Sequence, residues 1–557
     1  MRESARRRPA PPPDGRWLLV RIRVWEIGPN KPRRSGRFCI ASSASLHWRR
    51  LGLAAHQSPD VFVIVLDAVR GSDLYSGSAG TISSLPFLSR FSREAAIFPQ
   101  AVAAASWTVP SVASLITGLY PWEHGASALG TNRLDPRFPT LASTLRARGY
   151  LTLLLSANSV VGPRTNLSAG FEHTFVADWW EQYLRLRRAT PSTSGSTVGG
   201  DASEGPANGY TNLLRLGSRR AMRAGFRYTG LLEKANRFAQ GLKEPAHPLN
   251  VRVSPWIEPT FDRVLATTSR SRPVFSFIHL NDAHEPYYRT APRFGLLSGS
   301  REPTVRQDYM RQVEGTWSPT PRELGALHAL YQTMIREIDG RIETLVRTIS
   351  EHRDINNSMV LITADHGQAF GEGGWLFHMC SPEEALLRIP LIVRFPGGIL
   401  TGIGKGWTSP VDVAPTIFES IGVPSPLQGP GLPVQHLLDE ERASPVWALG
   451  DGLPIKHLEG IVSVSGDPRW ETAHRLWLAA YYQSTKLTFD LRSRATTVQG
   501  VEVRLGSEYV RTGEQQDAQV AQIRAEAARL AYRIMRDHDD QESGGVSKRL
   551  ESWGYGV

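Results

Sequence analysis

Residues 61–67 read Val-Phe-Val-Ile-Val-Leu-Asp, six apolar residues, most of them β-branched, ending on a carboxylate. A strand with one wet face alternates apolar and polar residues, whereas a continuous apolar run marks a strand covered on both faces. Similar runs recur at 151–155, 274–280, 359–362 and 391–395, and helical patterns alternate with them at 85–96, 140–148 and 324–349. Strands alternating with helices predict an α/β fold, a three-layer αβα sandwich around a large, mostly parallel mixed sheet.

Outward from that core the character changes. Residues 1–58 are rich in Arg and Pro without an apolar period, which predicts a disordered basic extension. A catalytic domain is expected over 59–425, with a Ser/Thr/Gly-rich mobile insertion at about 190–208 and a basic helical stretch at 213–242 that lines a substrate entrance or, the plainer reading, caps the sheet. The Pro/Gly-rich segment 424–433 leads into a smaller C-terminal α+β subdomain over 426–557. There Val520, Ile523, Ala527, Leu530 and Ile534 share one helix face, read as a packing stripe. A chain of 557 residues exceeds one ordinary core, in keeping with a large domain and a companion.

Charge and cysteines exclude several classes. Much of the net +11 falls in the first 50 residues and no base-reading motif accompanies it, so no nucleic-acid partner is expected. Two cysteines, Cys39 and Cys380, are too few and too distant for a disulfide framework. No run approaches the roughly 18 apolar residues of a membrane helix. The segments 17–25 and 38–46 are broken by Arg or diluted by Ser, so neither is a good signal h-region. As written the chain reads as cytoplasmic, exported only if a signal precedes this start site. The oligomeric state leaves no mark in the sequence.

Ligands of open α/β sheets bind beyond the carboxyl ends of the strands. Asp67 follows the first run, with Arg70 and Asp73 after it. Asn281, Asp282 and His284 follow 274–280, while Asp365, His366, Gly367, Glu372 and His378 follow 359–362. Converging carboxylates and imidazoles predict a site for Zn, Mn, Mg or Ca, without choosing among them. Asn158, after 151–155, is read as a turn residue. The fourth element is Ser106-Trp107-Thr108-Val109-Pro110-Ser111-Val112-Ala113-Ser114-Leu115-Ile116-Thr117-Gly118. Pro110 suits the first turn of a helix and Gly118 its stop, so Thr108 stands at or just before the N-terminus. Free N–H groups and the helix dipole favour phosphate or sulfate there. Alone, Thr108 would read as a helix cap, and Trp107 as core packing or a pocket wall.

Together and in this order, the motifs resemble the sulfatase family of the alkaline phosphatase superfamily. The helix from Thr108 to Gly118, followed by Tyr120-Pro121 and His124-Gly125, is similar to the family's nucleophile helix. Asp67 with Arg70 and Asp73 matches its opening strand motif, and Thr363-Ala364-Asp365-His366-Gly367 its second metal motif. Arg388-Ile389-Pro390-Leu391-Ile392-Val393 and Val411-Asp412-Val413-Ala414-Pro415-Thr416 match later landmarks, so the likeness spans about 60–425. It implies one divalent cation on Asp67, Asp365 and His366 with the Thr108 hydroxyl beside them, a second ion being left open. It further implies that His284 and His378 lie near the substrate or a second metal, as catalytic and substrate-binding groups. Arg70 and Asp73 would brace the loop, and His124 is a weaker candidate.

One departure bears on the chemistry. Sulfatases that use formylglycine carry Cys or Ser at the nucleophile position, with a downstream Arg that helps mark it for oxidation. Thr108 and Val112 stand at those places. Oxidised threonine would be a ketone, which closes the aldehyde-hydrate route. A threonine alkoxide can attack phosphorus directly, which resembles the phosphoglycerol and phosphoethanolamine transferases. The expectation is a metal-dependent hydrolase or transferase acting on phosphate mono- or diesters of a small-molecule, glycan or lipid substrate. The alternative is sulfate-ester hydrolysis. A second alternative, a non-catalytic anion binder that keeps the fold, is disfavoured by the retained Asp67, Asp365 and His366.

Overall fold

The computed structural model describes residues 58–75, 81–127, 131–177, 255–285, 287, 318–374, 376–378, 381–450, 476–491, 496–500, 520–531 and 533–534. The extension before Ser58, the 190–208 insertion, the basic stretch 213–242 and both cysteines lie outside the described residues.

Eight strands form the central sheet: β1 (Asp60–Leu66), β2 (Ala96–Ile97), β3 (Leu151–Ser156), β4 (His173–Val176), β5 (Val274–Leu280), β6 (Ser358–Ala364), β7 (Leu391–Arg394) and β8 (Gly402–Ile403). Their order is β8-β2-β7-β6-β1-β5-β3-β4. From β6 through β4 every neighbour is parallel, while β7 runs antiparallel to β6 and β2, so the sheet is mixed and mostly parallel. Every side chain of β1, β5 and β6 is buried, as the continuous apolar runs require of strands covered on both faces. At the amino-terminal side Arg353 grips Asp60 through two nitrogens, at 2.7 and 2.8 Å, an arrangement that satisfies both buried charges.

Two groups of helices cover the sheet. In one, α1 (Thr108–Thr117), α2 (Leu141–Arg146) and α5 (Val413–Ser420) pack together; in the other, α3 (Ile257–Thr267) packs on α4 (Pro321–His352). The long α4 starts where Thr320 and Glu323 form a reciprocal capping box ahead of Pro321. Its buried residues, from Leu327 through Tyr331, Met334, Ile335, Ile338, Ile342, Leu345 and Ile349, recur at the helical period. No helix among the described residues is long and apolar enough to cross a membrane.

The C-terminal part forms a four-stranded antiparallel sheet, β9 (Val446–Gly450), β10 (Trp477–Tyr482), β11 (Thr485–Asp490) and β12 (Thr496–Gly500). Ile523, Ala527, Leu530 and Ile534 are buried in one cluster with residues of this sheet, so the helical stripe is packing. β9 also touches the segment ahead of α1 directly. Leu449 N–H donates to Ala104 O at 2.9 Å, and Ser106 N–H to Leu449 O at 3.3 Å. The C-terminal sheet therefore props the segment that leads into Thr108.

Candidate metal centre and its imidazole wall

Three strand ends and one helix N-terminus supply the site. Asp67 leaves β1, Asp365 and His366 leave β6, and both strands are neighbours in the sheet. Ala68 turns the chain with a left-handed backbone, φ 60°. That conformation costs a side-chain-bearing residue about 1–3 kcal/mol and persists where the surroundings enforce it. Here Tyr331 OH donates to Ala68 O at 3.0 Å, while Ala68 N–H reaches Asp365 Oδ1 at 3.3 Å. The strain joins the ends of two strands at the carboxylates.

Each carboxylate has one oxygen held by N–H donors and one turned toward His366, and of the two inward oxygens Asp365 Oδ2 also lies 3.4 Å from His279 Nε2. Asp365 Oδ1 accepts from Ala68 N–H and, at 2.9 Å, from His366 N–H. Asp67 Oδ2 accepts from Asn158 Nδ2 at 2.8 Å. The inward oxygens, Asp67 Oδ1 and Asp365 Oδ2, lie 3.5 and 3.7 Å from His366 Nε2. His366 Nδ1 donates to Gly367 O at 2.8 Å, which places the proton there and leaves the Nε2 lone pair for the cage. Burial pushes the His366 imidazole below its ordinary range, against the pull of Asp365. Burial also opposes charge on Asp365, yet His366 and His279 beside it hold its carboxyl well below the usual range.

Thr108 completes the cage. It is the first residue of α1; Trp107 takes the cap position, so the hydroxyl is not a helix cap. Thr108 Oγ1 sits 3.3 Å from His366 Nε2. Gly118 ends α1 in the left-handed conformation, φ 73°, as its place in the sequence predicts. Ser111, one turn into the helix, donates through Oγ to Asp365 O at 2.5 Å and ties α1 to the loop after β6.

His284 and His378 stand beside the cage as an imidazole wall. The rings of His366 and His378 stack with centroids 4.6 Å apart, and His284 meets His378 edge-on at 4.7 Å. Behind them lies Glu285, whose Oε2 is 3.5 Å from His284 Nδ1 and 3.6 Å from His378 Nδ1. Burial alone would discharge His284, but Glu285, Asp67 and Asp365 raise its pKa to about 9. Gln368 links the wall to the loop. Its Nε2 donates to Glu285 Oε2 at 2.6 Å, and its Oε1 accepts from His378 Nδ1 at 3.2 Å. Phe377, just before His378, is again left-handed at φ 68°, a second strained position next to a group of the imidazole wall.

Other residues singled out in the sequence go elsewhere. Asp282 pairs with Arg341, which also holds Glu258, so it faces away from the cage. Glu372 pairs with Arg70 at 2.8 Å. Arg70 also donates through Nε to Gln368 O and takes the Tyr331 hydroxyl on its backbone N–H at 2.8 Å, so it braces the loop. Asp73 binds His328 at 2.9 Å. His124 is buried and pushed down to about 3; its Nδ1 accepts from Ala126 N–H and its Nε2 faces Ser114 Oγ, a structural arrangement. Trp107 is half-buried against the main core. Asn158 corrects the sequence reading: its Oδ1 makes the expected turn with Val160 N–H, but its amide nitrogen orients Asp67.

Gly367 has a steric reason. A Cβ there would lie 2.0 Å from Ala385 O, because the Gly367 N–H closes on Leu386 O at 2.7 Å. Gly367→Ala is expected to cost at least the upper end of the ~1–3 kcal/mol typical of overpacking, measured by urea unfolding. A change under about 0.5 kcal/mol would show that the loop relaxes freely.

The sequence profile of the family described as Sulfatase matches residues 59–423. An arylsulfatase of Clostridium perfringens is 23% identical over 406 residues, 69% of this chain and 79% of that protein. A choline-sulfatase of Rhizobium meliloti is 23% identical over 378 residues, 66% and 68% of the two chains. Among solved structures, the phosphonate monoester hydrolase of Agrobacterium radiobacter superposes with a TM-score of 0.54 at 18% identity, covering 86% of this chain and 96% of that one. That likeness shares the α/β fold.

Proposed function

Since the chain belongs to the sulfatase family, we propose that it is a metal-dependent hydrolase that cleaves esters of a tetrahedral oxyanion with Thr108 as nucleophile. The observation that carries this reading is the Thr108 hydroxyl at a helix N-terminus, 3.3 Å from His366 Nε2. Sulfate esters come first as the substrate class, because the arylsulfatase and choline-sulfatase among the relatives are named for them. This reverses the order the sequence alone suggests. Phosphate or phosphonate esters form the second reading, favoured by Thr108 and Val112 where formylglycine enzymes carry an oxidisable residue and its arginine.

The cage fits a divalent cation. Asp67, Asp365 and His366 offer ligand atoms that all lie within 4.8 Å of one another, and all three residues are buried. Asp67 Oδ1 has no hydrogen-bond partner among the described residues, an unmet cost for a buried anion that a cation would remove. These three groups would hold the ion with the Thr108 hydroxyl alongside. A bound cation there supplies Lewis acidity, lowering the hydroxyl pKa and offsetting charge on the nonbridging oxygens.

The chain's own groups do the remaining work. Thr108 gives up its hydroxyl proton to solvent and its Oγ attacks sulfur or phosphorus in line, the bond to the leaving oxygen breaking as the new ester forms. N–H groups at the start of α1 face the anion. His284 and His378 have Nδ1 engaged by Glu285 and Gln368, so Nε2 is the edge offered to substrate. One of them protonates the leaving oxygen. Water then cleaves the Thr108 ester and releases the oxyanion.

A panel of 4-nitrophenyl sulfate, 4-nitrophenyl phosphate, bis(4-nitrophenyl) phosphate and a phenylphosphonate monoester, run with each of Zn, Mn, Mg and Ca, separates the readings. The highest kcat/KM on the sulfate supports the first, and on a phosphorus ester the second. Turnover of none by metal-loaded protein would sink both.

A further inference from the structure

We infer that His279 is a positioning residue for the metal cage, donating Nε2–H across the two carboxylates and fixing the separation at which they meet a cation. The inference rests on the reading that Asp67, Asp365 and His366 hold a divalent ion.

His279 is a polar interruption in a strand that is otherwise nearly all apolar, Val-Phe-Ser-Phe-Ile-His-Leu, and it is fully buried. A buried imidazole needs partners. Its Nε2 lies 3.4 Å from Asp365 Oδ2 and 3.9 Å from Asp67 Oδ2. β5 pairs with β1 on the side away from β6, so this ring crosses the end of β1 to reach the carboxylate that follows β6. One side chain thus spans three adjacent strands.

Tautomer chemistry separates a positioning role from ligation. A metal-bound histidine hands its other N–H to an acceptor, as His366 does with Gly367 O. His279 Nδ1 is buried and has no hydrogen-bond partner among the described residues. If Nε2 bound a metal, the proton would sit on Nδ1 as an orphaned buried donor, which is rarer than an orphaned acceptor. With the proton on Nε2, that N–H meets Asp365 Oδ2 with Asp67 Oδ2 close by, and Nδ1 keeps only a lone pair. His279 therefore holds Asp365 Oδ2, the oxygen that also lies 3.7 Å from His366 Nε2, and approaches Asp67 from the side of Oδ2 rather than of the inward Oδ1.

The test is Mn2+ binding by calorimetry to metal-free wild type, His279→Leu and His279→Gln, with melting temperatures of the metal-free proteins as a check on folding. Loss of an outer-shell partner weakens metal affinity about 10- to 100-fold, which is the expected result for His279→Leu. His279→Gln retains an N–H donor and should recover most of the loss. Pulsed EPR of the Mn2+-loaded wild type should show one coordinated imidazole nitrogen, that of His366, a result independent of how the variants fold. Equal affinity in all three proteins would overturn the inference, as would two coordinated imidazoles. If the wild type binds none of Mn2+, Zn2+ or Ca2+, the cage reading itself fails and takes this inference with it.

Discussion

Thr108→Ala is expected to lower kcat by several orders of magnitude, up to the roughly millionfold loss seen when a nucleophile is removed, with the fold preserved. The hydroxyl can be removed cleanly because it does not cap its own helix; the cap position belongs to Trp107. Its recorded partner is His366 Nε2 at 3.3 Å. Stability should therefore fall by only the ~1 kcal/mol of one ordinary hydrogen bond, visible as a small shift in melting temperature. Thr108→Ser keeps the oxygen and should keep most of the rate, which distinguishes lost chemistry from disturbed packing. A radiolabelled sulfate or phosphate ester, quenched during turnover, should leave its label on the peptide containing Thr108 in wild type and not in Thr108→Ala. Activity within tenfold of wild type in Thr108→Ala would exclude Thr108 as nucleophile and leave direct attack by water.

Legibility in the sequence followed the physics of each feature. β1, β5 and β6 were readable because a strand covered on both faces must be apolar at every position. α1 was readable from its punctuation, Pro110 inside the first turn and Gly118 at the stop. The edge pair Ala96–Ile97 and Gly402–Ile403 was not, since two residues carry no period. Nor were the four C-terminal strands, where apolar residues mix with Lys486, Thr488 and Asp490, all of them buried. In the site, residue type at a strand end located Asp67, Asp365, His366, His284 and His378 in one region. It could not say which way a side chain turns, and so Asp282 and Glu372 looked like site groups though each is committed to an arginine. Glu285 and His279 each leave only a faint trace in the sequence: an acid adjoining His284, and an imidazole inside an apolar run. Gln368 left none, because its role depends on two chain segments meeting.

Asp365→Asn is expected to remove metal binding and activity together. The native carboxylate is pinned by Ala68 and His366 N–H groups on Oδ1. An asparagine would keep its oxygen on those donors, so its NH2 would replace Oδ2 and point into the cage. A ligand oxygen with negative charge thus becomes a donor facing a cation. Breaking one member of a buried charge constellation costs about 3–5 kcal/mol, or roughly two to four orders of magnitude in affinity. Calorimetry with Mn2+ and elemental analysis of the purified variant measure this directly. Melting curves give a second readout that needs no substrate. At a metal concentration about 100 times its Kd, a protein that binds the ion only when folded gains ~2.7 kcal/mol. Wild type should therefore melt several degrees higher when metal is added, and Asp365→Asn at the same temperature with or without it. Metal-dependent stabilisation of the variant equal to that of wild type, with activity retained, would mean that the ion sits elsewhere. Loss of activity with metal still bound would instead separate the two roles, leaving Asp365 to orient Ala68 and the turn after β1 rather than to hold the cation.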